Sequence, residues 1–414
     1  MSDRRRVVIT GLGCITSLGH DAKTNWKNLL DGQSGIKTID HFEVDDLSVR
    51  FASCVQDFDV AAYIDKKEQK KMDTFMQYGV AAAVQAVNDS GLDFSKENSD
   101  RAGVAIGSGI GGLPMIEDTK MNLMNAGPRR VSPFFVPGSI INMISGHVSI
   151  RYGLRGPNFA VVTACSTGTN NIGEATRMIR YNDADIMIAG GSEMATTRLT
   201  LAGFGSARAL STRNDDPQTA SRPFDSGRDG FVLGEGAGVV VLEEYEHAKK
   251  RGAHIYAEVI GYGVSSDAYH MTLPREDGSG ASRCMQKALT DAKVDTDSVG
   301  YINAHGTSTP SGDIAETKAI KSTFGGHAYE LSVSSTKSMT GHLLGGAGGI
   351  ETVYTALTIE KQIAPPTINI FEQDPACDLD VVANAAKDLV DLDVALSNSF
   401  GFGGTNACIA LRRI

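Results

Sequence analysis

A chain of 414 residues with 41% hydrophobic and 21% charged residues has the composition of a globular protein with a large core, long enough for two or three domains or one large α/β body. The formal net charge of -10 argues against a general nucleic-acid binder, which needs a basic footprint. No uncharged apolar run approaches the roughly 20 residues that span a bilayer, and MSDRRRVVITGLG has no secretory core, so a cytoplasmic protein without membrane partners is expected.

In chain order, RRVVITGLG predicts a first strand and FMQYGVAAAVQAVNDSG a helix. RAGVAIGSG, NFAVVTA, ADIMIAGG and GAGVVVLEEY predict further strands, with helical stretches between several of them. After Gly252 a second series opens with AHIYAEVIGYGVSS, a helix from about Ala281 to Ala292 and the strand VGYINAHG. A helix near DIAETKAIKSTFG, the strand LSVSSTK, a long helix through GIETVYTALTIEKQ and two strands in DVALSNSFGFGGTNACIALRRI complete it. This alternation predicts an α/β protein with substantial sheets. The two series match in order: each has a strand, a small-residue elbow and an apolar helix, and each closes on a Gly-rich segment and an apolar strand. A duplicated architecture is therefore expected, residues 1–254 and 255–414, packed as one body because no Pro- or Ser-rich linker divides them. SRPFDSGRDGF, at 221–231, occurs once and reads as an ordered loop.

Cys165 stands where the apolar run Phe159 to Thr163, expected as a buried strand, turns into a helix. Unpaired N–H groups and the dipole at a helix N-terminus favour a thiolate, and a sharp elbow exposes it as nucleophile elbows expose serine. The bland alternative is a small filler beside Ala164. The six cysteines (14, 54, 165, 284, 377 and 408) are far apart with no C-x-x-C pair, so neither a zinc site nor a disulfide framework is suggested. His305, in NAHGTSTPSGD, and His342, in SSTKSMTGHLLGG just after Lys337, occupy glycine-flanked loops at strand ends, where α/β proteins gather catalytic groups. The remaining histidines read as structural. NSFGFGGTN, at 398–406, carries glycines that let N–H groups approach a ligand, and two aromatic residues, Phe400 and Phe402, unusual in an exposed hairpin turn. GSGIGG, at 107–112, fits G-x-G-x-x-G after a strand, but LPMIED gives no clear helix face behind it, so nucleotide binding is not expected.

TACSTG, NAHGTSTPSGD, KSMTGHLLGGAGG and NSFGFGGTN, in that order and at these separations, resemble the β-ketoacyl-acyl carrier protein synthases of the elongating kind, within them the synthase II group of bacterial fatty-acid biosynthesis. The resemblance covers essentially the whole chain. It implies a thiolase-like fold, two similar halves stacked as five α/β/α/β/α layers with mixed sheets, and a homodimer. It also implies a decarboxylating Claisen condensation. Cys165 takes an acyl chain from acyl carrier protein, and malonyl-carrier protein loses CO2 to a carbanion that attacks the thioester, giving a product two carbons longer.

By the same resemblance the N–H groups of Cys165 and Phe402 form an oxyanion hole, and His305 and His342 act as neutral Nε donors to the enolate oxygen. Lys337 is implied to organise His305, with Glu316 as its partner. Thr307 and Thr309 are implied to hold the phosphopantetheine arm. That arm arrives on the carrier protein, so no resident cofactor or metal is expected. Phe402 is implied to gate the acyl pocket, with Ile110, Phe204 and Phe400 near its wall, while Phe135 and Val136 reach the pocket of the partner subunit. An acidic carrier protein requires a local basic patch, for which Lys67, Lys70, Lys71, Arg129, Arg130 and Arg208 are the candidates. In RLTLAGFG the chain has Thr200 and Ala202 where many relatives carry glycine, bulk expected to narrow the pocket. Four other readings compete. A thiolase needs a second cysteine in a loop near the C-terminus, whereas Cys408 falls in a predicted strand. An initiating synthase lacks the second histidine. A polyketide-type ketosynthase shares these motifs, and a non-catalytic chain-length partner subunit would have its nucleophile replaced.

Overall fold

The apolar runs become ten strands in the computed structural model, which describes residues 4–414. The first five are β1 (Val7–Ile15), β2 (Ala102–Gly107), β3 (Asn158–Phe159), β4 (Ile186–Glu193) and β5 (Gly236–Glu244). The second five are β6 (Ala257–Ser266), β7 (Val299–Asn303), β8 (Ser332–Ser334), β9 (Val394–Gly401) and β10 (Thr405–Arg412). They run β8-β7-β9-β10-β6-β1-β5-β4-β2-β3 across one hydrogen-bonded array. The joint at β6 and β1 is only Val8↔Glu258 and Ile9↔Ala257, so the array is two sheets meeting at a short corner. Counted along the chain, each sheet has the same order: first, fifth, fourth, second, third. The first–fifth and fifth–fourth pairs are antiparallel and the others parallel in both sheets. The duplication seen as a pattern of segments is thus a duplication of topology.

Of the six longer helices, α1 (Thr74–Ser90), α2 (Leu113–Ala126), α3 (Thr167–Arg180), α4 (Ser279–Ala292), α5 (Pro310–Phe324) and α6 (Ala347–Lys361), all but α2 layer these sheets; α2 buries no residue and packs on the short helix Phe135–Ser139. Helix α1, capped by Asp73 and ended by Gly91 in the left-handed conformation, packs on β1, β5 and β4. Helices α4 and α5 pack together on the other sheet's outer side, α4 against β6 and β10. Between the sheets α3 and α6 touch each other and both sheets, completing five layers. Their approach requires glycine: a Cβ on Gly168 would lie 2.5 Å from the Gly349 nitrogen. Every residue of α6 from Ala347 to Ile359 is buried, as the middle layer demands.

One predicted strand is largely absent. Of NFAVVTA only Asn158 and Phe159 pair with β2. The Asn171 side chain takes the place of a neighbouring strand, accepting from the Val161 N–H at 2.9 Å and donating to its carbonyl at 3.0 Å. The segment before Cys165 therefore leaves the sheet, and Val162 is 49% exposed. Among the described residues no helix is long and apolar enough to cross a membrane.

Candidate active site

The elbow is built twice. Ala164 (φ 52°) opens a tight turn, Ala164–Ser166, that leads into α3, and Leu344 (φ 48°) opens the turn Leu344–Gly346 that leads into α6. Both are non-glycine residues in the left-handed region, a strain that only a packed surrounding sustains. Cys165 follows Ala164, whereas glycine follows Leu344, so only the first elbow carries a thiol. The β9–β10 turn lies directly on it. A Cβ on Gly401 would sit 2.8 Å from the Thr163 oxygen and 3.1 Å from the Cys165 nitrogen, and Thr405 Oγ1 donates to the Thr163 carbonyl at 2.9 Å.

His305 leaves the end of β7 with its N–H and that of Gly306 donating to the Glu316 carboxylate at 2.9 and 2.7 Å. His342 is pinned to the first half, its N–H donating to the Val232 carbonyl at 2.7 Å. The two imidazoles meet edge to face with centroids 5.3 Å apart, and Cys165 Sγ and a ring nitrogen of each lie within 4.8 Å of one another. Both rings are buried, and Nδ1 of His305 and both nitrogens of His342 have no hydrogen-bond partner. Burial, then the nearby Lys337 charge, holds both pKa values well below the usual histidine range, so the rings are neutral at pH 7.

Glu316 is not the partner of Lys337. The Lys337 ammonium pairs with Glu351 on α6, both side chains buried, while Glu316 fixes the His305–Gly306 backbone and accepts from Asn398. Burial pushes the Glu351 carboxyl up against the pull of Lys337. Lys337→Met would leave Glu351 buried without its counter-charge, and a loss of about 3–5 kcal/mol of unfolding free energy is expected in chemical denaturation. A change below about 1 kcal/mol would rule out a stabilising ion pair.

The expectation of an exposed, acidic thiol is also corrected. Cys165 is 7% exposed. Burial pushes its thiol up to about 11, although the Phe402 N–H, the Lys337 charge and its own N–H pull the other way. The elbow is roofed by the β9–β10 turn, and desolvation outweighs the helix N-terminus. Cys165 and the two histidines are thus a neutral set, not a thiolate–imidazolium pair. Alkylation of Cys165 by iodoacetamide is expected to rise about ten-fold per pH unit from about pH 7 to 10, because only the growing thiolate fraction reacts. A plateau near neutrality in peptide mapping would contradict this.

The site opens into a cavity of about 400 Å³ lined by Ile110, Phe204, Thr307, Thr309, Phe400 and Phe402, with exposed Arg208 also on its lining. Phe204 meets Phe231 at 5.2 Å and Phe402 at 6.4 Å between centroids. Thr200 and Ala202 do not line it: Thr200 is buried beside Thr197, and Ala202 points to solvent. The expected narrowing is therefore not seen in this chain. Phe135 and Val136 lie on the short helix Phe135–Ser139, outside the cavity, with Val136 59% exposed. Lys67, Lys70, Arg129 and Arg130 are exposed and off the cavity, and Lys71 pairs with Glu68 at 2.7 Å.

Buried carboxylates escaped the sequence reading, Glu193 and Glu351 among them. Glu193 fills the GSGIGG loop, accepting from the N–H groups of Gly109 at 2.7 Å, Ile110 at 3.1 Å and Gly345 at 2.9 Å. The glycine loop that resembles a phosphate cradle is filled by the protein's own carboxyl group, whose pKa burial raises while these N–H groups pull it down. The readable signal was Glu193 ending the strand in IAGGSE. Glu351 had no such signal within an apolar helix. Asn303, Ser397, Asn398 and Glu351 also carry buried polar atoms without partners, oxygen-bearing groups of the kind that could hold a hard cation.

Known proteins resemble this chain in sequence and fold. Residues 4–248 match the family model for the N-terminal domain of beta-ketoacyl synthase, and residues 256–371 match that for its C-terminal domain. The chain is 57% identical to 3-oxoacyl-[acyl-carrier-protein] synthase 2 of Vibrio harveyi, covering 99% of both chains. It is 54% identical to the enzyme of the same name from Staphylococcus aureus, covering 100% of this chain and 99% of that one. Among solved structures, a β-ketoacyl synthase from Burkholderia phymatum superposes with a TM-score of 0.91 at 37% identity, covering 99% of this chain and 100% of that one. A type II polyketide ketosynthase, in complex with its acyl-carrier protein and bound to the hexaketide, superposes with a TM-score of 0.92 at 35% identity, covering 100% of both.

Proposed function

Since the chain belongs to the β-ketoacyl synthase family, and is a condensing acyltransferase, we propose that it extends acyl chains by two carbons on acyl carrier protein as a 3-oxoacyl-[acyl-carrier-protein] synthase of the synthase 2 type. The observation that carries this is the convergence of Cys165 with two neutral histidines at an apolar cavity whose lining also presents two threonine hydroxyls. In this reading residues 1–254 supply the nucleophile and residues 255–414 the histidines.

In the first half-reaction Cys165 Sγ attacks the carrier-bound acyl carbon, and its proton passes to the departing phosphopantetheine thiol. The new C–Sγ bond replaces the old thioester. The Phe402 and Cys165 N–H groups, which already lower the thiol's pKa, are the donors that would meet the oxyanion. In the second, the malonyl C–C bond breaks, CO2 leaves, and the enolate oxygen accepts from the N–H of His305 and His342. The carbanion then attacks the acyl carbon and Cys165 leaves as the thiolate. Neutral rings suit donation, and Lys337, held by Glu351, helps keep them neutral. Thr307 and Thr309 hold the phosphopantetheine arm, and no resident cofactor or metal enters these steps.

The greater identity to the synthase 2 relatives favours a fatty-acid role over the polyketide one. Intact Cys165, His305 and His342 disfavour a non-catalytic partner subunit. A homodimer is supported by exposed apolar side chains in the first half, Met121, Met124, Phe134 and Val136 on one run and Val162 beyond it, and by β3 at the sheet edge. Phe135 and Val136 reach the pocket of the partner subunit from there. The basic residues Lys67, Lys70, Lys71, Arg129, Arg130 and Arg208 dock the carrier protein, in the cytoplasm. The test is incubation with an acyl-carrier protein and malonyl-carrier protein, reading the product by mass. A 3-oxoacyl chain two carbons longer is expected; CO2 release without chain extension would defeat the proposal.

A further inference from the structure

The loop SRPFDSGRDGF belongs to the first half of the chain, yet it grips the turn of the second half that carries Thr307 and Thr309. We infer that Arg228 is a positioning residue for the carrier-arm subsite, its guanidinium fixing the 307–310 turn at the cavity. The Arg228 side chain is 2% exposed. Its Nη2 donates to the Pro310 carbonyl at 2.9 Å and its Nε to the Thr309 carbonyl at 3.3 Å. Nη1 donates to the Asp225 carbonyl at 2.7 Å and the Asp374 carboxylate at 2.8 Å. Asp313, fully buried in the first turn of α5, lies 3.4 Å from Nε.

Neighbouring residues of the loop hold the same turn. The Arg222 N–H donates to Ser308 Oγ at 2.9 Å, and the Gly230 N–H to the Ser308 carbonyl at 3.1 Å. Ser308 sits at φ 68°, a conformation that persists only where surroundings impose it. Asp225 in turn accepts from the N–H groups of Phe371 and Glu372 at 2.7 and 2.9 Å. Segments near residues 225, 309 and 374 are therefore joined through one guanidinium. Arginine suits this because its planar fork reaches carbonyls and carboxylates in several directions; a lysine ammonium is a single point. The two threonine hydroxyls lie 3.0 Å apart on the cavity lining, and Arg228 bonds the backbone beneath them, not the hydroxyls. It acts through the turn.

The inference rests on the reading that Thr307 and Thr309 hold the phosphopantetheine arm. Arg228→Lys is therefore compared with Thr307→Val in the full chain, using an acyl-carrier protein for kinetics and iodoacetamide to probe Cys165. Arg228→Lys is expected to raise KM about ten-fold with kcat within about three-fold, while alkylation of Cys165 stays within about two-fold of wild type. A raised KM in Thr307→Val with none in Arg228→Lys would overturn the inference and leave the arm subsite standing. An unchanged KM in Thr307→Val would remove the arm subsite and the inference with it. Alkylation falling in step with kcat/KM would show a general loss of structure, which also overturns it. Should Arg228→Lys not fold, Asp374→Asn at the partly exposed anchor is expected to raise KM about three-fold, and no change there would count against the inference.

Discussion

Cys165→Ala is expected to form no acyl adduct with any carrier-bound acyl donor, whereas the wild-type chain gains a single adduct by intact mass. The expected drop in acyl transfer is at least about a thousand-fold, because no other group can take over the covalent step. Cys14, Cys284, Cys377 and Cys408 are buried, and burial raises each thiol's pKa. Partly exposed Cys54 is likewise raised by burial and does not line the cavity. Alanine leaves the turn Ala164–Ser166 intact, since the residue before it, not Cys165, adopts the strained backbone. An adduct that persists in the variant at the wild-type rate would place the nucleophile elsewhere. Repeating the measurement across acyl lengths ranks the chains that the cavity accepts.

His305→Ala and His342→Ala are each expected to slow decarboxylation of malonyl-carrier protein by about a hundred- to a thousand-fold, the usual cost of removing a donor to a developing oxyanion. Acylation of Cys165 should fall less, because its oxyanion meets backbone N–H groups. The pH profile separates donation by a neutral ring from donation by a cation. Both pKa values are depressed, so the rings stay neutral as pH falls through 6.5, and decarboxylation should hold between about pH 8 and 6. A rate that rises as pH falls through 6.5 would show that imidazolium is the active form. Unchanged decarboxylation in both variants would remove the histidines from that step.

Much of the site was legible because its chemistry is carried by rare residues in small-residue loops. Cys165, His305, His342 and the GFGG turn stand in small-residue loops and elbows, and the fold brings them to one place. The duplicated order of elements was readable too, since apolar runs and glycine boundaries dictate strands and helices locally. Partners within the buried polar set were not readable. Glu316 and Glu351 each lie within helices near Lys337 in sequence, and nothing in their spacing says which one the ammonium meets. The answer came from the middle layer, where α6 carries Glu351 to Lys337 while Glu316 turns to the His305 backbone.

The protonation of Cys165 divides in the same way. The sequence by itself determined that a lone cysteine would sit at the start of a helix between small residues, where dipole and N–H groups favour the thiolate. Only the tertiary structure decided that the thiol would be roofed by Gly401 and Phe402 and pushed up to about 11. Helix-terminal N–H groups act locally and are visible in the order of residues. Desolvation is the sum of everything packed around an atom, here drawn from segments more than two hundred residues away, and that sum exists only once the chain has folded.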